Sequence, residues 1–385
     1  MESNKQTINI AVTGCIHGSM KKMYDDIWNY SQQNKMNIDL VLCTGDFECM
    51  IEQSDMKYLS CPDKYKHMGD FHKYYEGLYP VPFLTIFIGG NHEASNILHD
   101  NFYGGYIMEK VYYLGRAGLI KYKGIRIGGL SGIYNKFDYL KGHYEDDIAG
   151  KDIKSIFHVR EYEIAKLSNL TGGIDIMMSH DWPTGIVDKK DFKSMTKNRV
   201  DLLEDLKKNE LGSPYSEFLL KMLEPKYWIC GHMHYYYKNT IEHPDKKTTN
   251  VFALDKCLNN RRYFDVITLE VDSTETSEEI KIDSEWIAIT QIFDKAFPIN
   301  NINYNFSDYI SVDKDYYVLL VTNYYKQYIK NTKKITVSSS QFTSELNELK
   351  KITKDTKVEL NSEISSLFGL GAKNTKNSEE IEIDL

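Results

Sequence analysis

Short apolar runs of strand length recur along the first 275 residues, and each run stops at a turn. The clearest covers residues 83–88 and ends in the sequence Gly-Gly-Asn-His-Glu at residues 89–93. Its β-branched and aromatic residues predict a buried strand, and the glycines allow a sharp turn after it. Similar runs predict strands at residues 8–12, 39–43, 112–114, 120–122, 125–129, 174–178, 226–230, 248–252 and 264–271. This pattern indicates an α/β fold with polar side chains at several strand ends.

Apolar residues at helical spacing predict helices between these strands. Tyr24, Ile27 and Trp28 indicate a helix after the first strand, and a second is expected around residues 65–75. A third helix with a core-facing stripe is predicted from Phe218, Leu219, Met222 and Leu223.

Residues 131–160 follow neither period and mix charges with aromatic side chains. A long irregular segment inside a compact domain is usually functional or disordered. The aromatic content favours a functional loop, and the alternative is a flexible surface insertion.

The composition changes near residue 276. Residues 276–355 predict a small, mostly helical accessory domain, whose first helix begins near residue 283. The segment 356–385 is polar and ends in acidic residues, which predicts a disordered tail.

Bulk composition narrows the class of protein. The chain has 385 residues, 42% hydrophobic and 26% charged, as expected for a soluble globular protein. Its net charge of -8 argues against a broadly basic surface but leaves room for a local basic groove. No apolar run approaches the ~20 residues of a membrane span. Six cysteines without paired spacing favour a reducing compartment.

Five of the predicted strand ends carry side chains that can bind a metal ion. These are Cys15 and His17, then Asp46, then Asn91 and His92, then His180, and finally His232 and His234. Strand ends of one sheet converge in space, so a single cluster is expected. The alternative is that all five segments are unrelated turns.

The donors divide into two metal sites that share one carboxylate. The predicted first site contains His17, Asp46 and His234 with Cys15 nearby, and the second contains Asp46, Asn91, His180 and His232. Two ions at such a site can clamp a phosphoryl group, and imidazole ligands suit Fe(II), Zn(II) or Mn(II) better than magnesium.

His92 is left over from this ligand set. A histidine at the rim of a dinuclear site can protonate a leaving oxygen, so we predict that His92 is the catalytic acid. The alternative is that it orients the phosphate or a neighbouring ligand.

These motifs resemble the calcineurin-like metallophosphoesterase superfamily, whose usual pattern is Asp-x-His, Gly-Asp, Gly-Asn-His, a lone His and Gly-His-x-His. Only the first element differs, because Cys15 stands in place of the aspartate. Cys15 either binds a soft or borderline metal as a thiolate or is a buried residue that binds none.

A narrower resemblance is to the RNA lariat debranching enzymes, a branch of that superfamily, and it extends to about residue 295. It is carried by the Cys-x-His-Gly start and by residues 89–93, 131–134, 142–145, 158–160, 179–183 and 252–257, followed by Arg261 and Arg262. The resemblance implies a four-layer α/β/β/α sandwich at residues 1–275, with residues 131–160 as a lariat recognition loop.

The resemblance also implies the reaction, which is hydrolysis of the 2′–5′ phosphodiester at the branch point of intron lariat RNA. Stacking and 2′-OH contacts recognise such RNA. The expected RNA contacts are Tyr134, His143, Tyr144, His158, Arg160 and Lys256. Branched RNA is then the partner, no membrane is involved, and the expected location is the nucleus, with a cytoplasmic pool compatible with the sequence.

Two rival functions remain at this stage. A generic metallophosphoesterase would share the metal ligands but would give no reason for the 131–160 loop or for Cys15. A protein-binding scaffold derived from the same fold should have lost several ligands, whereas only the first position departs from the pattern.

Overall fold

The computed structural model of the protein describes residues 5–145, 148–150, 152–197, 199–272 and 277–296. The strands within these ranges are β1 (Lys5–Thr13), β2 (Leu40–Cys43), β3 (Thr85–Phe87), β4 (Gly105–Met108), β5 (Val111–Tyr113), β6 (Ala117–Tyr122), β7 (Ile125–Leu130), β8 (Ile176–Ser179), β9 (Tyr227–Cys230), β10 (Tyr237–Glu242), β11 (Thr248–Ala253), β12 (Phe264–Asp272) and β13 (Lys281–Ile282). The α-helices are α1 (Met20–Asn34), α2 (Phe71–Tyr75), α3 (Ser95–Asp100), α4 (Glu161–Ser168), α5 (Phe192–Thr196), α6 (Leu203–Lys208), α7 (Pro214–Leu223) and α8 (Ser284–Ala296).

The strands form two mixed sheets. One has the order β12-β1-β2-β3-β5-β4 and the other the order β10-β11-β9-β8-β7-β6-β13. In the first sheet β1, β2, β3 and β5 are parallel neighbours. In the second sheet β7, β8, β9 and β11 are parallel. The loops after these parallel strands therefore share an edge in each sheet.

The alternation of side chains along the strands builds the layers. In β2, Leu40 and Leu42 join a core between the two sheets, while Val41 and Cys43 point to the helices outside. In β8, Ile176 and Met178 face the same central core. Helix α1 covers the outer face of the first sheet, and α4, α7 and α8 cover that of the second. The predicted four-layer α/β/β/α sandwich is confirmed.

Several local predictions need correction. The helix expected around residues 65–75 is reduced to one short turn at Asp63–Tyr65 and to α2, because only the last five residues continue as a helix. The helix predicted from Tyr24, Ile27 and Trp28 is confirmed as α1, in which Tyr24 and Ile27 are buried and Trp28 is half exposed. In α7 the predicted Leu219 is fully buried and Phe218 and Leu223 pack against the core, but Leu220, which was not predicted, is also fully buried.

The start of the predicted accessory domain packs on the second sheet. Strand β13 pairs with β6, and α8 buries Trp286, Ile289 and Phe293 against the outer core. Tyr103 Oη donates to Asp294 of α8 at 2.6 Å, and the ammonium of Lys166 lies 4.8 Å from the ring of Trp286. The boundary at residue 276 stays a prediction. Residues 297–355 and the predicted acidic tail lie outside the described residues.

No helix among the described residues is long and apolar enough to cross a lipid bilayer.

Candidate metal centre and active site

The loops that follow β1, β2, β3, β8 and β9 carry the predicted metal ligands to one place between the sheets. Four of these ligands have left-handed backbone conformations, which are uncommon outside glycine. They are His17 (φ 45°), Asp46 (φ 48°), His232 (φ 62°) and His234 (φ 51°). Such strained positions concentrate at functional sites, where the surrounding structure holds them.

Two glycines let the loops approach closely. A Cβ added to Gly90 would collide with Asp46 Oδ1, and one added to Gly45 would collide with His180 Nδ1. Gly45 also has a positive φ of 105°, which an L side chain rarely adopts. These glycines are needed for the approach of the strand ends, beyond the general turn preference predicted from the sequence.

The first predicted ligand set converges. Donor atoms of Cys15, His17, Asp46 and His234 all lie within 4.8 Å of one another. The Nε2 atoms of His17 and His234 are 3.0 Å apart, and His17 Nε2 is 3.5 Å from Asp46 Oδ2.

The second predicted set lies on the other side of the shared carboxylate. His180 Nε2 is 3.4 Å from Asp46 Oδ1 and 3.1 Å from Asn91 Oδ1. The ring of His232 is centred 5.0 Å from the ring of His180. One oxygen of Asp46 therefore faces each set, which is the arrangement of a bridging ligand.

Hydrogen bonds behind two histidines leave their inner nitrogens free to bind a cation. His180 Nδ1 donates to the carbonyl of Thr44 at 2.6 Å, and His17 Nδ1 donates to Glu48 Oε1 at 3.3 Å. A proton on Nδ1 leaves a lone pair on Nε2, which is the tautomer that binds metals.

Burial sets the protonation of the site. Burial lowers the pKa of His180 to about 4, and burial together with the charge of His17 lowers the pKa of His234 to about 3. Burial alone would raise the pKa of Asp46, but the nearby imidazoles of His180 and His17 hold that pKa well below its usual range. Neutral imidazoles, as at His180 and His234, and an ionised carboxylate are the forms that bind a divalent cation, whereas hydrogen bonding to Glu48 and the charge of Asp46 raise the pKa of His17 against the effect of burial.

Cys15 is fully buried in the first set, and its Sγ accepts a hydrogen bond from the backbone N–H of His232 at 3.1 Å. Burial and the charge of Asp46 raise the pKa of this thiol far above its usual range. A cation would have to displace the proton for the sulfur to bind. The donor set as a whole, with convergent lone pairs on nitrogen, oxygen and sulfur, fits a pair of divalent ions.

His92 lies at the edge of this cluster. Its backbone N–H donates to Asp46 Oδ1 at 2.8 Å, and its ring is centred 5.6 Å from the ring of His17. The ring is partly exposed and has no hydrogen-bond partner among the described residues. It is thus free to meet a substrate, as the predicted acid requires.

Glu93 has a role that the sequence analysis missed. Its buried carboxylate accepts the backbone N–H groups of Phe47 at 2.8 Å, Glu48 at 2.7 Å and Gly90 at 2.9 Å. Burial and the nearby charge of Asp46 raise its pKa to about 8, although these three donors oppose the shift. One side chain therefore ties the loop after β2 to the loop after β3. A glutamate directly after Asn-His was the only available signal.

We expect Glu93→Gln to destabilise the fold by about 1–3 kcal/mol, because the amide NH2 group would face backbone donors and leave at least one unpaired. Urea unfolding measures this free energy. The matched control is Glu76→Gln at an exposed position, where the change should stay within about 0.5 kcal/mol. Equal stability of the two variants would show that Glu93 does not hold the loops.

The structure corrects the exposure assumed for three predicted RNA contacts. Arg160 is completely buried, and His143 and His158 are also buried. His143 Nε2 lies 2.6 Å from Glu163, His158 Nδ1 lies 2.6 Å from Asp138, and Arg160 pairs with Glu145. Burying charged groups is tolerable only when they are paired in this way. These buried side chains stabilise the loop through their ion pairs and hydrogen bonds, and they could contact RNA only if those interactions were broken.

Residues 136–140, which we call the tip of the loop, include exposed apolar side chains. Phe137 is 73% exposed, Leu140 is 53% exposed, and the ammonium of Lys136 lies 5.0 Å from the centre of the Phe137 ring. Tyr134 and Tyr144 are partly exposed. Phe137 is not among the predicted RNA contacts, since sequence alone does not tell an exposed ring from a packed one.

Two further side chains reach the metal loops from other segments. Lys256 is partly exposed, and the next residue, Cys257, donates its N–H to the carbonyl of Cys15 at 2.8 Å. Arg199 Nη1 donates to the carbonyl of Met233, between two predicted ligands, at 2.6 Å. No element was predicted for residues 184–214, which contain α5, α6 and part of the support for this loop.

Comparison with known proteins agrees with the fold and the site. The family model for calcineurin-like phosphoesterases matches residues 8–236, and the model for the C-terminal domain of lariat debranching enzyme matches residues 246–363. The lariat debranching enzyme of Arabidopsis thaliana is 41% identical over 76% of this chain and 70% of its own length. Those of Danio rerio and Homo sapiens are 40% and 38% identical, over 74% and 77% of this chain.

The two-sheet sandwich and its strand-end ligands define a calcineurin-like metallophosphoesterase, a class that uses divalent metal ions. Within that class, the chain belongs to the lariat debranching enzyme family. It matches 51% of the Danio rerio protein and 56% of the human one, so it spans little more than half the length of these relatives.

Proposed function

We propose that this protein is a metal-dependent phosphodiesterase that hydrolyses the 2′–5′ phosphodiester at the branch point of lariat RNA. The observation that carries the proposal is the pair of ligand sets on either side of Asp46, with the free ring of His92 at their edge. The family relationship supports the choice of substrate, and we further propose that the protein acts in the nucleus, where lariats arise.

Each residue of the site has a distinct task in this reaction. Cys15, His17, Asp46 and His234 would hold one ion, and Asp46, Asn91, His180 and His232 the other. When bound, two divalent ions supply charge neutralisation at the phosphoryl oxygens and activation of the attacking water. His92 would hold a proton at its imidazole and give it to the 2′-oxygen as the bond from phosphorus to that oxygen breaks.

The loop at residues 131–160 would supply recognition of the branch. It is fastened to the metal loops, because Gly132 N–H donates to the carbonyl of Gly89 at 2.8 Å and Tyr134 N–H donates to Asp181 at 3.2 Å. Its buried charge pairs hold a definite shape, so the exposed tip is presented without a large loss of entropy on binding.

We expect Phe137→Ala to weaken binding of branched RNA by about 5-fold or more, since stacking of one base on an aromatic ring contributes about 1–3 kcal/mol. Binding is measured by fluorescence anisotropy with a non-cleavable branch. The matched control is Leu78→Ala, which removes another largely exposed apolar side chain, outside the loop. If both variants bind as the wild type does, the tip is not a stacking element.

For the metals we propose Fe(II), Zn(II) or Mn(II), with Cys15 as a thiolate ligand in the first set. Cys15→Asp should then shift selectivity towards Mn(II) or Mg(II), and Cys15→Ser should weaken the first site. Metal affinity is measured by competition with a chelator under anaerobic conditions. Unchanged affinity and selectivity in both variants would show that the sulfur does not bind.

The proposed function is tested with three substrates offered to the metal-loaded protein. They are a synthetic 2′–5′ branched RNA, a linear 3′–5′ RNA of the same sequence and a nitrophenyl phosphodiester. The proposal predicts that kcat/KM is highest for the branch and that the linear RNA remains intact. Comparable cleavage of the linear RNA would instead support a generic phosphodiesterase.

A further inference from the structure

A second basic surface lies beside the metal centre, on residues that the recognition loop does not contain. Its position follows from the loop between β11 and β12. Cys257 N–H donates to the carbonyl of Cys15, and Gly14 N–H donates to the carbonyl of Tyr263, both at 2.8 Å. This loop therefore lies directly against the loop that carries Cys15 and His17. Tyr236 approaches from the other side, two residues after the ligand His234.

Arg262 and Tyr236 form the centre of this surface. The guanidinium carbon of Arg262 lies 4.1 Å from the centre of the Tyr236 ring, and the Arg262 side chain is 62% exposed. Asp265 holds the arrangement, because its Oδ2 atom lies 3.1 Å from Arg262 Nη2, 2.9 Å from Tyr236 Oη and 2.7 Å from Lys238 Nζ. Lys238 is in turn 4.0 Å from the centre of the Phe252 ring. We call this surface the arginine shelf, and it consists of Arg262, Tyr236, Asp265, Lys238, Phe252, Lys256 and Arg261.

The charges and open hydrogen-bond donors of the arginine shelf suit a phosphodiester chain. Its four cations lie beside two carboxylates, that of Asp265 and that of Asp255, which pairs with Arg261, in a chain whose net charge is -8. Arg262 uses one nitrogen for Asp265, and no other side-chain bond to its guanidinium is formed within the described residues. The remaining donors and the outer face of the guanidinium are thus open to a phosphate or a base. An exposed arginine normally rotates freely, whereas the ring and Asp265 hold this one in place, so less entropy is lost on binding.

Sheet order places the arginine shelf opposite the recognition loop. The shelf is built on β10, β11 and β12, at one end of each sheet. The recognition loop follows β7 and contacts the loops after β3 and β8, further along both sheets. The metal ligands on the loops after β1, β2 and β9 lie between the two surfaces. A branched RNA has three arms, so a branch held at the metals would extend arms towards both sides.

We propose that the arginine shelf binds a single-stranded arm of the branched RNA as it leaves the metal centre. This inference rests on the proposed function. Arg262 would stack on a base or pair with a phosphate, with Tyr236 as its platform and Lys238, Lys256 and Arg261 as further phosphate contacts. Binding of this kind depends on contacts with the RNA phosphate backbone and on base stacking, so it does not require a particular base sequence in the arm.

The test compares Arg262→Gln with Lys246→Gln, which removes the same charge from an exposed residue in the turn between β10 and β11, at the opposite end of these strands from Tyr236. Both are assayed on a branched RNA with long arms and on branches in which each arm in turn is trimmed to one nucleotide. We expect Arg262→Gln to raise KM by about 5-fold or more on the long-armed substrate, the low end of the effect of losing one stacked base. The defect should shrink when one particular arm is trimmed, and that arm is the one bound.

Salt dependence gives a second readout. The slope of log Kd against log salt concentration should fall by about 0.7 for each phosphate contact that Arg262→Gln removes from a single strand. Tyr236→Leu keeps the charge but removes the platform, and it should weaken binding of the same arm. Arg262→Lys should restore the salt slope but only part of the affinity, since an ammonium does not stack as a guanidinium does.

The inference is overturned if Arg262→Gln matches Lys246→Gln on the long-armed RNA, in which case the stack serves only the fold. It is also overturned if the defect is the same for long and trimmed arms, which would place Arg262 in support of the metal loops. In either case cleavage by the wild type would still uphold the proposed function. Failure of the wild type to cleave any branched RNA would count against the proposed function itself.

Discussion

Asp46→Ala is expected to lose both metal ions and to reduce the activity by at least about 100-fold. Removing a residue that only supports a metal ligand costs up to about 100-fold, and losing a ligand itself should cost at least as much. The reason is geometric. Asp46 Oδ2 faces His17 and Oδ1 faces His180, at 3.5 and 3.4 Å, so this carboxylate is shared by both ligand sets. Elemental analysis of the purified variant and the rate on branched RNA measure the two losses.

A second substitution separates this effect from unfolding. Asp46 has a positive φ of 48°, which asparagine tolerates better than alanine does. Asp46→Asn keeps an oxygen to accept the His92 N–H but removes the charge and one of the two oxygens, so it too should lose metal. Asp63→Ala, at an almost fully exposed side chain, serves as the control and should change neither quantity. An Asp46→Asn protein that retains two equivalents of metal would mean that the ligand set is wrong.

His92→Ala is expected to keep both metal ions and to cleave branched RNA about 10²–10⁴-fold more slowly, the range typical of general acid catalysis. Its ring completes neither ligand set and has no hydrogen-bond partner among the described residues, so its removal leaves the metal ligands in place. A 2′-alkoxide is a poor leaving group and needs the proton. Single-turnover rates on the branched RNA measure the defect without interference from product release.

The leaving group decides whether His92 acts as an acid. A nitrophenyl phosphodiester releases an anion of low pKa that does not need a proton, so the defect should shrink markedly on it. Metal content must match that of the wild type in the same preparation. Equal rate loss on both substrates would indicate that His92 orients the phosphate or supports the metal site instead.

The ligand set could be predicted from the sequence because its signal is local. Each ligand follows a short apolar run, and parallel strands bring their ends to the same edge of a sheet. The structure adds the left-handed backbone conformations of four predicted ligands and the close approach at Gly45 and Gly90, whereas the residue types alone were enough to predict that these side chains come together.

The roles of the basic and aromatic residues could not be predicted in the same way, because burial is decided by the whole fold. Arg160 and Arg262 are both among the residues that carry the family resemblance, yet one is completely buried against Glu145 and the other is 62% exposed on Tyr236. Glu93 was overlooked for a related reason. Its partners are backbone N–H groups, and no sequence pattern reveals where these point.

The most direct test of the dinuclear site is a titration of the metal-free protein under anaerobic conditions, followed by the initial rate on a 2′–5′ branched RNA. With Fe(II), Zn(II) or Mn(II), the structure predicts no cleavage by the metal-free protein and a rate that reaches its plateau at two equivalents of metal. A plateau at one equivalent, or cleavage without added metal, would contradict the account of two ligand sets that share Asp46.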